Sequence, residues 1–196
     1  YVESILHPFV ADVAEDGTVN AGEDILKGEP FECPMAPFGG IEQLAWSPDS
    51  KTIAYTCRKK EGLQYAISTD SDIYLYNIGT RETKNLCKEA GYVEPKIDAT
   101  KSMKNQAVNA PENLKNNPGY DINPQFSADG KYIAWQSMAR DGYESDRNRL
   151  CVYELATGKK NYVSDKFDSS VEGFVWNKDN KSLTFIGVWH GTLNLY

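Results

Sequence analysis

One ten-residue pattern occurs three times in this chain, and it restricts the fold more than any other feature. The copies are Trp46-Ser47-Pro48-Asp49-Ser50-Lys51-Thr52-Ile53-Ala54-Tyr55, Phe126-Ser127-Ala128-Asp129-Gly130-Lys131-Tyr132-Ile133-Ala134-Trp135 and Trp176-Asn177-Lys178-Asp179-Asn180-Lys181-Ser182-Leu183-Thr184-Phe185. Each has an aromatic strand end, a turn centred on Asp followed by Ser, Gly or Asn, a Lys, and a strand of alternating apolar residues, which is the grammar of a hairpin. Asp caps its own backbone in such a turn, and Gly or Asn accepts the positive φ it demands.

A second element follows the first two copies: Asp72-Ile73-Tyr74-Leu75-Tyr76-Asn77-Ile78 and Arg149-Leu150-Cys151-Val152-Tyr153-Glu154-Leu155, each running into a Gly-containing turn and another short strand. Two strands before the connecting loop and two after it make a four-stranded antiparallel unit of about 45 to 50 residues, a propeller blade. The expected fold is therefore all-β: a β-propeller fragment with complete blades at 41–97 and 118–167. An inserted loop at 98–117 separates them, the outer part of a blade occupies 1–40, and the inner part of another occupies 168–196. The N-terminal assignment rests on Phe9-Val10-Ala11-Asp12-Val13 followed by Asp16-Gly17. Ile53, Ala54, Ile133 and Ala134 are expected in the interior of second strands. The polar 98–117 segment has few apolar anchors and reads as irregular and mobile.

Composition narrows the function classes. A formal charge of −7, with no basic block longer than Arg58-Lys59-Lys60, offers no stripe to neutralise a phosphate backbone and speaks against a nucleic-acid partner. No apolar run approaches the roughly 18 to 20 residues a membrane span needs, and residues 1–20 carry acids where a secretory leader would be basic and then apolar. Cys33, Cys57, Cys87 and Cys151 are scattered, with no C-x-x-C pair and only two histidines in the chain. That pattern supports buried free thiols over a zinc site, and one disulfide stays open. No metal or cofactor is expected, and Asp49, Asp129 and Asp179 read as turn residues. The recurring aromatics Trp46, Phe126, Trp135, Trp176 and Phe185 read as packing between blades.

The repeated aromatic-Ser-Pro-Asp-Gly-Lys pattern resembles the WD-like repeat of TolB-type propellers over residues 41–185. A narrower resemblance lies in Pro37-Phe38-Gly39-Gly40-Ile41-Glu42, in Ser68-Thr69-Asp70-Ser71-Asp72-Ile73-Tyr74, and above all in Met138-Ala139-Arg140-Asp141-Gly142-Tyr143-Glu144-Ser145-Asp146. These runs are similar to the propeller of prolyl oligopeptidase family serine peptidases, in particular the dipeptidyl peptidase and acylaminoacyl peptidase branch. The resemblance implies a substrate-gating propeller set over an α/β-hydrolase domain that carries the Ser, Asp and His, a peptide substrate, and a periplasmic or secreted location. This chain departs from the full enzyme: none of its serines is flanked by glycine at both −2 and +2, so it shows no nucleophile elbow and no catalytic residue is assigned. His7 reads as a loop residue and His190 as a hairpin residue. The alternative reading is a TolB-type propeller that acts as a protein-interaction module.

The best substrate-binding candidates are Arg140, Glu144 and Asp146, in the charged loop between the second and third strands of the second blade. Carboxylates there could hold a peptide ammonium, and guanidinium donors its carbonyls; the alternative is an ion-pair network within the loop that only fixes the turn. The matching loop one blade earlier, Arg58-Lys59-Lys60-Glu61-Gly62, reads as a solvated turn. Blades cut open at both ends would leave unpaired strand edges on which a second copy could dimerise.

Overall fold

The computed structural model describes residues 4–93, 100 and 115–196. Most of the 98–117 insertion therefore lies outside the described residues. Of its C-terminal end, Asn117 is 1% exposed, because its side-chain amide bonds Asp121 and the Met138 carbonyl.

Two four-stranded antiparallel sheets form the body of the chain. The first holds β3 (Leu44–Trp46), β4 (Thr52–Cys57), β5 (Asp72–Asn77) and β6 (Thr83–Asn85) in sequence order; β1 (Phe9–Val10) and β2 (Glu23–Asp24) form a separate hairpin ahead of it. A five-residue helix, α1 (Leu63–Ile67), interrupts the β4–β5 connection. The second sheet holds β7 (Asp121–Phe126), β8 (Tyr132–Ser137), β9 (Arg149–Glu154) and β10 (Lys160–Tyr162), again in order. A three-stranded sheet closes the chain: β11 (Val171–Trp176), β12 (Leu183–Trp189) and β13 (Thr192–Leu195). The two complete blades and their partial neighbours are thus present.

The repeat turn forms for the reason its residues suggest. Ser47 Oγ donates to Asp49 Oδ1 at 2.7 Å while the Lys51 amide donates to the same oxygen at 3.1 Å, and Ser127, Asp129 and Lys131 repeat the set at 2.7 and 3.1 Å. The next position takes positive φ in each copy: Ser50 at 58°, Gly130 at 68° and Asn180 at 55°. In the third copy Asn177 replaces the serine, and its amide donates instead to Ser182 Oγ. His190, with φ 49°, forms the β12–β13 turn with Gly191.

Blades stack through opposite faces of successive sheets. Ala54 and Ile73 of the first blade meet Ile133, Trp135, Cys151 and Tyr153 of the second in one buried cluster. The other face of the second blade, Ala134 and Leu150, meets Val171 and Phe174 of the third sheet. Ile53, Ala54, Ile133 and Ala134 are all buried. Polar bonds lock the seams: the Asp121 amide donates to the Ser71 carbonyl at 3.0 Å across the first, and Gln136 Nε2 donates to the Val171 carbonyl at 2.6 Å across the second. The inner strand β7 carries a bulge between Ile122 and Gln125 that takes up Asn123, at φ 60°, and Pro124; a ladder strand tolerates proline only at such an irregularity.

Of the recurring aromatics, four pack where expected, with Trp135 buried and Phe126, Trp176 and Phe185 bordering the inter-blade clusters. Trp46 does not; it is 53% exposed. The segment that covers its face of the first blade packs Ile25, Leu26, Val10 and Phe31 on Ile53, Tyr55 and Tyr74 and leaves the strand end at Trp46 bare. The four cysteines are free and buried.

Trp135 tests the seam. Its indole is 1% exposed and donates to Asp121 Oδ1 at 2.6 Å. Trp135→Ala is expected to cost about 3–5 kcal/mol of unfolding free energy by truncation. Trp135→Phe, which keeps most of the volume but leaves the buried carboxylate short of a donor, should cost about 1–3 kcal/mol. Urea unfolding of the full-length protein measures both.

Candidate functional site

The second strands β4 and β8 both end on one rim, opposite the repeat turns, and the β4–β5, β6–β7 and β8–β9 connections gather there. Below these loops lies a knot of buried charge. Lys88, just beyond β6, places its ammonium 2.9 Å from Asp70 Oδ1 and 3.0 Å from Asp72 Oδ1, and also donates to the Asn117 carbonyl. Lys60 pairs with Asp70 Oδ2 at 2.7 Å. This corrects the reading of Arg58–Gly62 as a solvated turn: Lys60 is buried, because Asp70 lies below it and supplies the countercharge that lets an ammonium leave water. Arg58 also turns inward, donating to the Ser68 carbonyl at 3.1 Å and stacking over Tyr65 at 4.4 Å.

Burial, reinforced by Asp70 and opposed by Lys88, raises the Asp72 carboxyl from its ordinary 3.8 to about 6. Burial likewise pushes Asp121 upward, against the hydrogen bonds it accepts from Ser137 and Asn117. Lys88 feels the opposite balance: burial alone would lower its pKa, but Asp72 and Asp70 outweigh it and hold the ammonium well above the ordinary lysine range.

Asp72, Cys87 and Asp121 bring three potential ligand atoms within 4.8 Å of one another, but their donor set fits a metal poorly. Lys88 already occupies Asp72, Trp135 and Asn117 occupy Asp121, and the Cys87 sulfur accepts the Ile73 amide. Burial also pushes the Cys87 thiol well above its ordinary value, away from the thiolate a metal would need. An ammonium serves here as the cation.

The predicted loop residues separate into two roles. Arg140 and Asp146 take each other: the guanidinium Nε lies 2.9 Å from Asp146 Oδ1, its Nη2 donates to the same oxygen, and the group stacks over Tyr143 at 4.0 Å. Glu144 is exposed. It lines a polar cleft of roughly 450 Å³ between the two blades, with Arg58, Ser68, Thr69 and Tyr143 on the remaining walls. Tyr120 adjoins them; burial and then the Glu144 charge raise its phenol, while Arg58 opposes. Gly119 lies so close to the Met138 carbonyl that any side chain there would collide with it, which brings the β6–β7 connection flush against the β8–β9 loop.

Sequence reasoning missed Arg58, Ser68 and Thr69 as cleft residues. The available signal was the Ser68–Tyr74 run already singled out for its resemblance, whose first residues turn out to face the Arg140–Asp146 loop.

No protein-family model matches the chain. Among curated proteins it is 43% identical, over all 196 residues, to dipeptidyl-peptidase 5 of Porphyromonas gingivalis, of which it covers 25%. It is 44% identical over 150 residues to dipeptidyl-peptidase 5 of Porphyromonas endodontalis, matching 76% of this chain and 18% of that protein. It is also 30% identical to dipeptidyl-peptidase 5 of Arthroderma benhamiae, over 84% of this chain and 20% of that one. The chain spans a quarter or less of the length of these relatives. Among solved structures, TolB from Acinetobacter baumannii superposes with a TM-score of 0.51 over 92% of this chain and 32% of its own, at 16% identity. An oligogalacturonate lyase in complex with manganese gives 0.51 over 92% and 38%, at 19% identity. At those identities the likeness is one of fold.

The buried knot predicts a pH-dependent response. Lys88→Met leaves Asp70 and Asp72 without their shared cation and is expected to cost about 3–5 kcal/mol at pH 8. An acid whose pKa is raised on folding is stabilising when protonated, so Asp72's contribution falls as pH climbs from about 4 through 6. The penalty of Lys88→Met should therefore shrink at pH 5, where protonation can neutralise the stranded carboxyl. Denaturant melts at the two pH values measure it.

Proposed function

We propose, from the premise that this chain is a β-propeller segment of the prolyl oligopeptidase family of peptidases, that it forms part of the substrate gate of a serine dipeptidyl peptidase whose α/β-hydrolase domain lies outside these 196 residues. The carrying observation is the 43% identity maintained along the whole chain to a named dipeptidyl peptidase. The fold agrees with it, since four-stranded blades resembling those of TolB supply a rigid wall and loops on one rim. The chemistry belongs to the hydrolase domain, because acyl transfer needs a nucleophile, a base and oxyanion donors converging on one carbon.

In this reading the cleft between the blades receives the amino end of the peptide. Glu144 supplies a carboxylate for the ammonium, and the Arg140–Asp146 pair keeps the loop in shape behind it. Arg58 lines the same cleft, and its guanidinium can donate to a peptide carbonyl. The family resemblance supports a periplasmic or secreted location, and no helix among the described residues is long and apolar enough to cross a membrane.

Replacing Glu144 with Gln in the full-length enzyme should raise KM for peptides with a free amino terminus much more than for amino-blocked ones, with kcat little changed. Equal effects on both substrates, together with a lowered melting temperature, would assign Glu144 to structure instead.

The third sheet exposes Val175, Ile186, Val188, Leu193 and Leu195. Ile186 pairs with Leu195 and Val188 with Leu193, so at least these four share a face. In the second blade the corresponding face is covered by its neighbour. With that face bare, the isolated 196-residue chain is expected to self-associate. Sedimentation showing a strict monomer at high micromolar concentration would contradict this.

A further inference from the structure

We infer that Asp141 is a positioning residue for peptide recognition: it ties the Glu144 loop of one blade to the Arg58 loop of the other and so sets the distance across the cleft. The inference rests on the reading of Glu144 given above. Asp141 is 8% exposed, although the residues just after it, through Ser145, are exposed. Its carboxylate accepts Ser68 Oγ at 2.9 Å to each oxygen and the Thr69 amide at 2.6 Å. The tie is reciprocal, since the Gly142 amide donates back to Thr69 Oγ1 at 2.8 Å. The donors lie some seventy residues earlier in the chain, in the loop after α1, so the bonds cross from blade to blade.

Ser68 makes the arrangement specific. Its hydroxyl holds Asp141 while its carbonyl accepts Arg58 Nη1 at 3.1 Å, so one residue fixes both walls of the cleft. That residue is itself pinned from below: the Asp70 amide donates to Ser68 Oγ at 3.1 Å, and Asp70 is clamped by Lys60 and Lys88. Two tasks are thereby divided between neighbouring positions. Arg140 and Asp146 set the internal shape of the loop, and Asp141 sets where the loop stands relative to Arg58. A loop stabilised for its own sake would need only the first.

The test uses the full-length enzyme with free-amino and amino-blocked dipeptidyl substrates, comparing Asp141→Asn, Glu144→Gln and the double variant. The Asp141→Asn change keeps the shape of the side chain but replaces one acceptor oxygen with an amide donor that faces the Ser68 and Thr69 donors. Because small misplacements of binding groups are costly, Asp141→Asn should raise KM for the free-amino substrate about 10-fold, with kcat within about twofold and blocked substrates unaffected. If Asp141 acts through Glu144, the double variant should be no worse than Glu144→Gln alone. Additive effects, an equal KM change on both substrates, or a lowered melting temperature with KM unchanged would each overturn the inference. If Glu144→Gln itself fails to discriminate the substrates, the reading of the cleft falls and this inference with it. If Glu144→Gln discriminates and Asp141→Asn does not, only the inference falls. Should Asp141→Asn not fold, Ser68→Ala, which deletes the donor to Asp141 and keeps the carbonyl for Arg58, carries the same comparison under the same criteria.

Discussion

The ammonium of Lys88 is the point on which the loop rim depends. It sits against Asp70 and Asp72 from the strand entry of the first blade and against the Asn117 carbonyl at the approach to the second. Burying so many charges is tolerable only when each is matched, so the arrangement admits little drift. Asp70 passes this rigidity upward through Ser68, and Asp121 passes it sideways through Trp135 into the inter-blade core. The polar floor of the cleft and the apolar seam between the blades are two sides of one packed unit.

The seam also explains why the fold could be read from residue order. Ile53-Ala54 and Ile133-Ala134 alternate because successive residues of a second strand face different neighbours, one preceding blade and one following. The Ser-x-Asp-x-Lys turn is equally legible, since its bonds are made among residues within a few positions of one another. Local chemistry of that kind survives in sequence as a repeat.

The site was less legible, and for a physical reason. Arg140 and Asp146 are six residues apart, so their pairing could be weighed from the sequence as an ion pair within the loop. The burial of Lys60 depends on Asp70, and that of Asp141 on Ser68 and Thr69; the second of these matches spans more than seventy positions and a blade boundary. Charged residues in a loop look solvated until the countercharge beneath them is seen. Trp46 fails in the opposite sense: its repeat position implies packing against a neighbouring blade, and the segment packed on its face of the first blade stops short of it.

The repeat turns carry a consequence for how such proteins diversify. On their rim the side-chain donors and acceptors of the turn are consumed internally, by Ser47 with Asp49 and by Ser127 with Asp129, so the hem of each blade is chemically finished and hard to lengthen. On the other rim the connections differ from blade to blade: a short helix follows β4, a charged loop follows β8, and a two-residue turn of His190 and Gly191 follows β12. Length and charge can vary there without disturbing the ladder beneath. Lineages sharing this scaffold would then be expected to diverge in specificity on one side only, while the opposite side stays nearly constant as the frame that keeps the blades in register.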